Sequence, residues 1–258
     1  MERLSKARLK KIAALRRKKE RRAYGLFLAE GLRVCQALAE SGAEAETVLV
    51  GPRLADDERG ERLLAAFERR GAEILACTEG ELDAISDASA AQGVVAVCKR
   101  REASLDEAIR RGASLLVALD GVADPGNVGT ILRAADWFGA DGLLLGEGCA
   151  EATSPKTVRS SAGSVFRVPC WERLNLPESL AGLKGVGFEV VLADASGSPE
   201  WVGWRKGKSV LVLGSEARGA SAKTRAEASR TVAVPGRGRA ESLNVAMAAA
   251  VLLAGADR

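Results

Sequence analysis

The sequence contains no histidine, and this absence narrows the chemistry available to it. Without an imidazole there is no Ser-His-Asp triad, no Cys-His nucleophile pair and no histidine ligand for a metal ion. A proton leaving a substrate must go to a carboxylate, a lysine, a cysteine, the single Tyr24 or the substrate itself. Triad hydrolases and histidine-ligated metal enzymes are therefore excluded.

Paired cysteines and long apolar runs are also missing. The five cysteines are odd in number, are scattered along the chain and form no C-x-x-C motif, which argues against disulfides or a zinc site. The longest apolar stretch, residues 245–256, is shorter than the ~20 residues that span a bilayer. No signal-peptide pattern opens the chain. We expect a cytoplasmic protein with no membrane and no metal association.

The charge is distributed unevenly along the 258 residues, although the net charge is only +4. Residues 1–25 hold eleven Lys or Arg side chains against two Glu, so the rest of the chain is mildly acidic. A basic segment of this kind typically binds a polyanion. Leu4, Leu9, Ile12 and Leu15 recur at roughly helical spacing and predict a helix with one apolar side.

That basic segment supplies most of the candidate RNA-binding residues. Aromatic residues make up only 4% of the chain, so a sheet platform that reads RNA by stacked rings is not expected. The alternative for the basic segment is a solvated helix face with no ligand. The candidates are Arg16, Arg17, Lys18, Lys19, Arg21 and Arg22, with Lys156 and Arg159 further along the chain.

Alternating strand and helix patterns predict an α/β fold with two domains. The first, residues 1–100 including the basic segment, is expected to be a small α/β domain, and residues 101–112 a linker. Its predicted elements are helices at 27–41 and 54–70 and strands at 47–50, 73–77 and 94–98.

Residues 113–258 form the second predicted domain, with a doubly wound α/β pattern. Residues 115–120 are an apolar run typical of a buried parallel strand. The other predicted elements are strands at 142–145, 165–168, 188–193, 210–213 and 231–234, and helices at 127–138, 177–183 and 241–253.

Two glycine-rich segments resemble nucleotide-binding motifs but fail them. Residues 214–219 have P-loop spacing, yet Ala220 and Ser221 follow where Lys and Ser or Thr are required. Gly236 and Gly238 lack the third glycine of G-x-G-x-x-G, and they follow the last strand instead of the first. These failures argue against an ATPase, a GTPase or a Rossmann dehydrogenase.

Three other loops at predicted strand ends carry polar side chains. They span residues 120–133, 211–219 and 232–245, and open α/β sheets bind ligands at such ends. Asn127 and Ser242 also fit helix N-caps, and Arg133 and Glu216 also fit a structural ion pair. The polar candidates are Asn127, Arg133, Glu216, Ser242 and Asn244.

These three segments resemble the motifs of the SpoU (TrmH) family, the RNA ribose 2′-O-methyltransferases of the SPOUT class. The resemblance covers residues 113–258, and the first motif together with Glu241-Ser242-Leu243-Asn244-Val245 carries most of it. Residues 25–31 resemble the start of the two-domain subgroup, in which a small RNA-binding domain precedes the catalytic one. Residues 154–163 resemble the loop between the first two motifs.

The resemblance implies a C-terminal deep trefoil knot, S-adenosylmethionine as cofactor and a homodimer with composite active sites. It places cofactor contacts in the second and third of these loops, largely through backbone groups. One departure is Gly236, where the family often has Met, and this change can alter the cofactor fit. The implied cofactor residues are Leu213, Gly214, Val234, Pro235, Gly236, Ser242 and Leu243.

The resemblance also puts Arg133 at the reacting ribose hydroxyl. Arginine is protonated at any ordinary pH, so we expect it to stabilise the developing alkoxide and gather a neighbouring phosphate. The alternative, arginine as general base, requires a strongly lowered pKa. Asn127 would orient Arg133 or the ribose, Glu216 would hold that constellation, and Ser242 and Asn244 would line the methyl-transfer site.

The motifs do not specify which RNA is the substrate. The two-domain architecture favours 23S ribosomal RNA over transfer RNA as the substrate. Two other hypotheses remain open at this point: a non-catalytic RNA-binding or ribosome-assembly protein that kept the fold, and methylation of a base instead of a ribose.

Overall fold

A computed structural model describes residues 2–55, 58–86 and 93–257. The strands are β1 (Glu2–Arg3), β2 (Leu26–Glu30), β3 (Ala45–Val50), β4 (Glu73–Ala76), β5 (Val94–Lys99), β6 (Leu115–Asp120), β7 (Gly142–Gly146), β8 (Cys170–Leu174), β9 (Glu189–Ser198), β10 (Ser209–Gly214) and β11 (Arg230–Val232). The helices are α1 (Lys6–Ala14), α2 (Lys18–Tyr24), α3 (Leu32–Glu40), α4 (Pro52–Ala55), α5 (Glu58–Glu68), α6 (Glu79–Ile85), α7 (Leu105–Arg110), α8 (Pro125–Trp137), α9 (Pro155–Ser160), α10 (Leu176–Gly185), α11 (Ala222–Ala226) and α12 (Val245–Ala254). The predicted α/β class is confirmed.

The chain divides into two compact units. The first comprises Met1–Glu102 together with Thr153–Arg167, and the second comprises Ala103–Ala152 together with Val168–Arg258. This division differs from the predicted boundaries at two places. Residues 105–110 of the predicted linker form α7 in the second unit, and residues 153–167 cluster with the first unit although they lie between the first two polar loops in the sequence.

The first unit is a mixed sheet covered on both faces. Its strand order is β1-β4-β3-β5-β2, with β1, β4 and β3 parallel and β5 antiparallel to both of its neighbours. Alternate residues point to opposite faces. Leu28 and Leu49 pack with Ile12 of α1 and Leu82 of α6, whereas Phe27 joins the cluster that α3 and α5 cover on the other face.

Residues 27–30 form a strand, so the predicted helix over 27–41 is wrong in its first part. Gly25 ends α2 with a positive φ, β2 then pairs with β5, and α3 begins at Leu32 only after Gly31, whose φ is 91°. The prediction failed here because Leu28 and Leu32 lie four residues apart, the spacing that is typical of one face of a helix.

Residues 165–168 do not form the predicted strand. Residues 164–166 make a short 3₁₀ turn. The next strand in the chain is β8, which begins at Cys170 and pairs with the outer side of β7. The apolar side chain of Phe166 is used elsewhere, because its ring stacks on Phe27 in the first unit with centroids 6.1 Å apart. Gly163 permits this approach: its φ is 95°, and a Cβ there would lie 2.2 Å from the Cβ of Ala37.

The second unit is a fully parallel sheet with the order β11-β9-β10-β6-β7-β8. After β6 the chain builds β7 and β8 to one side, and later places β10 against the other side of β6. Neighbouring strands β6 and β10 therefore lead into connections that diverge, a topological switch point at which open α/β sheets bind ligands. The register pairs Asp120 with Gly214, so the first two polar loops start side by side.

Candidate active site

The first loop of the site leads from β6 into α8. Asp124 caps this helix, since its Oδ1 accepts a hydrogen bond from the backbone N of Gly126 at 2.9 Å, and Pro125 occupies the first turn. The interpretation of Asn127 as an N-cap is therefore wrong. Asn127 lies in the first turn of the helix, where its side chain is available for other contacts.

A carboxylate joins the three loops. Glu216, two residues after β10, accepts hydrogen bonds at Oε1 from the Nδ2 of Asn127 at 2.9 Å and from the Nδ2 of Asn244 at 2.6 Å. The Nδ2 of Asn244 also lies 3.1 Å from the Oδ1 of Asn127. We call these three side chains the amide–carboxylate junction. It brings together residues that are 89 and 28 positions apart in sequence.

Asn244 has a second task, because it caps α12. Its Oδ1 accepts hydrogen bonds from the backbone N of Ala246 at 3.0 Å and of Met247 at 3.4 Å. The last helix thus begins at Val245, and the predicted start at residue 241 is wrong. An amide can donate through Nδ2 while it accepts through Oδ1, so Asn serves both the cap and the junction, whereas an ionised Asp could only accept.

Arg133 and Ser242 are outside this hydrogen-bonded group. Arg133 is exposed on α8, six residues beyond Asn127 and so about 9 Å further along the helix axis. Neither side chain has a hydrogen bond or ion pair to the described residues. Asn127 bonds to Glu216 and Asn244 instead of orienting Arg133. The guanidinium of Arg133 is left available for an anion.

The residues predicted to hold a cofactor fall into two groups. Leu213 is buried, and Gly214 is required for packing, because a Cβ there would lie 2.1 Å from the backbone N of Ala220. In contrast, Pro235, Gly236 and Leu243 are exposed, and Val234 is half-buried. Within the described chain, residues 234–243 make no backbone hydrogen bond to one another or to other segments. Their peptide groups are consequently free to pair with a ligand.

The basic segment is folded onto the first unit. It consists of β1, α1 and α2, and Leu4, Ile12 and Leu15 are buried against the sheet. The predicted apolar side of the helix is therefore present, but residues 1–25 are part of the domain core and not an appended arm. Exposed cations remain at the corner between α1 and α2, namely Arg16, Arg17, Lys18, Lys19 and Arg22.

Arg21 differs from these neighbours because it is only 6% exposed. Its Nη1 donates hydrogen bonds to the backbone O of Leu15 at 3.1 Å and of Arg16 at 2.7 Å. These carbonyls lie where α1 has ended, so the guanidinium stabilises the corner between the two helices. Its prediction as an RNA contact does not fit this burial.

The two cations of the 153–167 segment that were candidate RNA contacts differ in their surroundings. Lys156 is exposed, whereas Arg159 donates from Nη1 to Oε2 of Glu30 at 3.0 Å. Glu30 is 4% exposed, and its Oε2 also accepts from the hydroxyl of Ser86 at 2.8 Å. A buried carboxylate needs such partners, so Arg159 fastens α9 to β2. Its side chain is still 32% exposed, so its role as an RNA contact stays a prediction.

Glu30 is a residue that sequence reasoning missed. It lies inside the 25–31 segment that was singled out, and an acidic residue at the end of an otherwise apolar strand is the signal that it has a buried partner.

The cysteines and acidic groups of the described residues form neither a disulfide nor a metal-ligating cluster. All five cysteines are free, and burial raises the pKa of the thiols of Cys35 and Cys77 to about 12, so they stay protonated. The described residues contain no group of three or more metal-ligating side chains. In the described part of the chain, no helix is both long and apolar enough to cross a membrane.

Comparison with known proteins assigns the family. Residues 114–254 match the SpoU rRNA Methylase family, and residues 6–96 match the MRM3-like substrate binding domain. The chain belongs to the SpoU methylase family. Among its curated relatives is the 23S rRNA (guanosine(2553)-2′-O)-methyltransferase RlmP of Bacillus subtilis (strain 168), which is 33% identical over 93% of this chain and 91% of its own length.

Solved structures of methyltransferases resemble this chain over nearly its full length. The SpoU methyltransferase AviRb of Streptomyces viridochromogenes, crystallised with AdoMet, superposes with a TM-score of 0.86 at 30% identity over 97% of both chains. The AdoMet-bound rRNA methyltransferase of Sinorhizobium meliloti gives a TM-score of 0.83 at 30% identity over 98% of this chain and 95% of its own.

Replacing Glu216 by Ala should release the loop that precedes α12. The two amides lose their shared acceptor, and the free energy of unfolding should fall by about 1 kcal/mol, since the junction is exposed to water. Hydrogen exchange followed by mass spectrometry should show faster exchange at the start of α12, where the backbone N–H groups of Ala246 and Met247 donate to the side chain of Asn244. The matched control is Glu241→Ala, an exposed carboxylate in the same loop; equal exchange in the two variants would contradict the role of Glu216.

Proposed function

We propose that this SpoU enzyme transfers a methyl group from S-adenosylmethionine to a ribose 2′-hydroxyl of 23S ribosomal RNA. The observation that carries the proposal is the amide–carboxylate junction, because it assembles the three family motifs at the switch point of the sheet. The names of the relatives support the reaction: RlmP is a 23S rRNA 2′-O-methyltransferase, and AviRb was crystallised with AdoMet.

The cofactor fits the open loop of residues 234–243. Adenine and the amino-acid moiety present donors and acceptors that pair with backbone peptide groups, and this loop leaves its own unpaired. Val234, Pro235, Gly236, Ser242 and Leu243 would hold the cofactor, together with Leu213 and Gly214. No atom lies within 4 Å of where a Cβ on Gly236 would be, so Gly in place of the family's frequent Met leaves extra space. When bound, S-adenosylmethionine supplies a methyl group already activated by its sulfonium charge.

Arg133 acts on the RNA. Its exposed guanidinium carries no partner in the described chain, so it is ready to bind the phosphate beside the reacting ribose and to stabilise the alkoxide that forms at the 2′-oxygen. The proton leaves to phosphate or water, because arginine stays protonated. This reaction needs no histidine.

The junction positions the site without taking part in the bond changes. Glu216 fixes Asn127 at the start of the helix that carries Arg133, and fixes Asn244 at the end of the loop that would hold the cofactor. Positioning of this kind contributes to catalysis because reacting groups held in line avoid the entropy cost of alignment. Ser242 lies two residues before Asn244 and would line the same site.

Residues 113–258 are proposed to carry out catalysis. Residues 1–100 are proposed to bind RNA through the exposed cations of α1 and α2, and Lys156 of the 153–167 segment would add to this contact. The protein would work in the cytoplasm, where free thiols persist. The second unit would also contain the trefoil knot of the SPOUT class. The backbone N atoms of Gly203 and Arg205 donate to Gly255 O at 2.7 Å and to Ala256 O at 3.0 Å, which ties the end of α12 to the segment before β10.

A homodimer is proposed from an apolar surface on α8 and α12, which pack together. α12 contains no polar residue, yet Met247 is 62% exposed, and Trp137 at the end of α8 is 83% exposed. Helices that are apolar all round are normally buried. A second copy of the chain would cover this surface.

Replacing Arg133 by Ala should lower the rate of methyl transfer to RNA by about 100-fold or more, the usual loss when one transition-state donor is removed. Binding of S-adenosylmethionine, measured by isothermal titration calorimetry, should stay near that of the unaltered protein. Arg110→Ala, which removes an exposed arginine from α7, is the control. Full activity of the Arg133 variant would refute the mechanism.

Replacing Lys18 and Lys19 together by Ala should weaken RNA binding and flatten its salt dependence. Each lost phosphate contact reduces the slope of log K against log salt by about 0.7 for single-stranded RNA, so the pair should remove roughly 1.4 units. Substitution is preferable to deletion of residues 1–25, which would expose the core around Leu15. The matched control replaces Lys206 and Lys208, also two exposed lysines; an identical slope in both double variants would refute the role of the corner.

Replacing Trp137 by Glu should shift the protein from dimer to the 27.0 kDa monomer in sedimentation velocity, since a buried unpaired carboxylate opposes association. Val186→Glu places the same charge at an exposed apolar residue of the second unit and should leave the dimer intact. A monomeric unaltered protein, or a Trp137 variant that remains dimeric, would overturn this interface.

A further inference from the structure

A cleft of about 130 Å³ opens beside the sheet of the first unit. Ile12 and Leu26 give it apolar walls, and Lys11, Tyr24 and Glu46 line it with polar and aromatic groups. The cleft is somewhat smaller than the cavity of about 150 Å³ that encloses benzene in another protein, so it would enclose part of a base and leave the rest in solvent.

Tyr24 makes the cleft suitable for a planar ligand. It is the only tyrosine in the chain and is 48% exposed, and the ammonium of Lys11 lies over its ring, 5.1 Å from the centroid, in a cation–π contact that a stacked base would replace. An exposed aromatic ring next to a cation is the combination that binds the base and the phosphate of one nucleotide in single-stranded RNA.

The charges in the lining exclude a simple anion site. Arg8 lines the cleft, but its guanidinium is engaged by the carboxylate of Glu73 and by the hydroxyl of Thr47 at 3.3 Å. Glu46 is exposed and would repel a phosphate that entered the cleft. A carboxylate accepts hydrogen bonds from the amino group of a base, so the mixed lining favours a neutral ring that carries a donor.

We propose that this cleft binds one unpaired RNA base that carries an exocyclic amino group. The base stacks on Tyr24, its amino group donates to Glu46, and Lys11 faces its phosphate. The inference rests on the proposal that the substrate is RNA, but it concerns a contact in the first unit that takes no part in methyl transfer. It gives this domain a base-selective contact in addition to the phosphate contacts of the helix corner.

Nuclear magnetic resonance of protein labelled with ¹³C-tyrosine tests the site directly, because the single tyrosine gives one set of ring signals. Titration with cytidine monophosphate should shift these signals, uridine monophosphate should shift them less because it lacks the amino group, and ribose 5-phosphate should leave them unchanged. The Glu46→Ala variant should lose the preference for cytidine over uridine. Equal shifts with ribose 5-phosphate would show an anion site and overturn the proposal, as would the absence of a shift with every nucleotide.

Binding of a single-stranded RNA oligonucleotide gives a second readout. Tyr24→Ala should weaken binding roughly 5- to 150-fold, the range for loss of one stacked base, with no change in the salt slope, and Tyr24→Phe should retain the affinity. Thermal unfolding of both variants checks that they are folded. Equal affinity of a folded Tyr24→Ala variant would refute stacking. Neither experiment uses S-adenosylmethionine, so failure of methyl transfer and failure of this cleft are seen separately.

Discussion

The shared acceptor at Glu216 is the interaction on which the catalytic unit depends. Two amides, one from the start of α8 and one from the N-cap of α12, donate to the same carboxylate oxygen at the end of β10. A neutral side chain would hold the two amides less strongly, since hydrogen bonds to charged groups are about twice as strong. One carboxylate thus sets the relation between the helix that presents Arg133 and the loop proposed to hold the cofactor.

In the first unit, some cations stabilise the fold and others are exposed and available as candidates for RNA contact. Arg21 donates to backbone carbonyls and Arg159 donates to the buried Glu30. Lys18, Lys19 and Lys156 are exposed. Burying a charge without a partner is costly, so the buried Arg21 and the buried Glu30 are each tied to specific partners. A count of positive charges in the sequence treats both groups alike.

The polar residues of the motifs could be predicted from the sequence, whereas contacts between segments distant in sequence could not. The apolar run of β6 and the three polar loops identified the second unit and its site, because strand burial and loop polarity are local properties. The predictions at residues 26–30 and 164–166 were wrong, because the strand and the 3₁₀ turn found there depend on partners distant in sequence. The strand pairs with β5, and Phe166 of the turn stacks on Phe27. The same limit applies to the site, where Asn127 was identified but its bond to Glu216, 89 residues away, was not.

The most direct test of the account identifies the atom that receives the methyl group. Purified protein is incubated with isotopically labelled S-adenosylmethionine and 23S ribosomal RNA that lacks the modification, the RNA is digested to nucleosides, and the products are analysed by mass spectrometry. The account predicts a label in a single nucleoside, on the ribose fragment as a 2′-O-methyl group. A label on the base fragment, or RNA binding without any transfer, would contradict it.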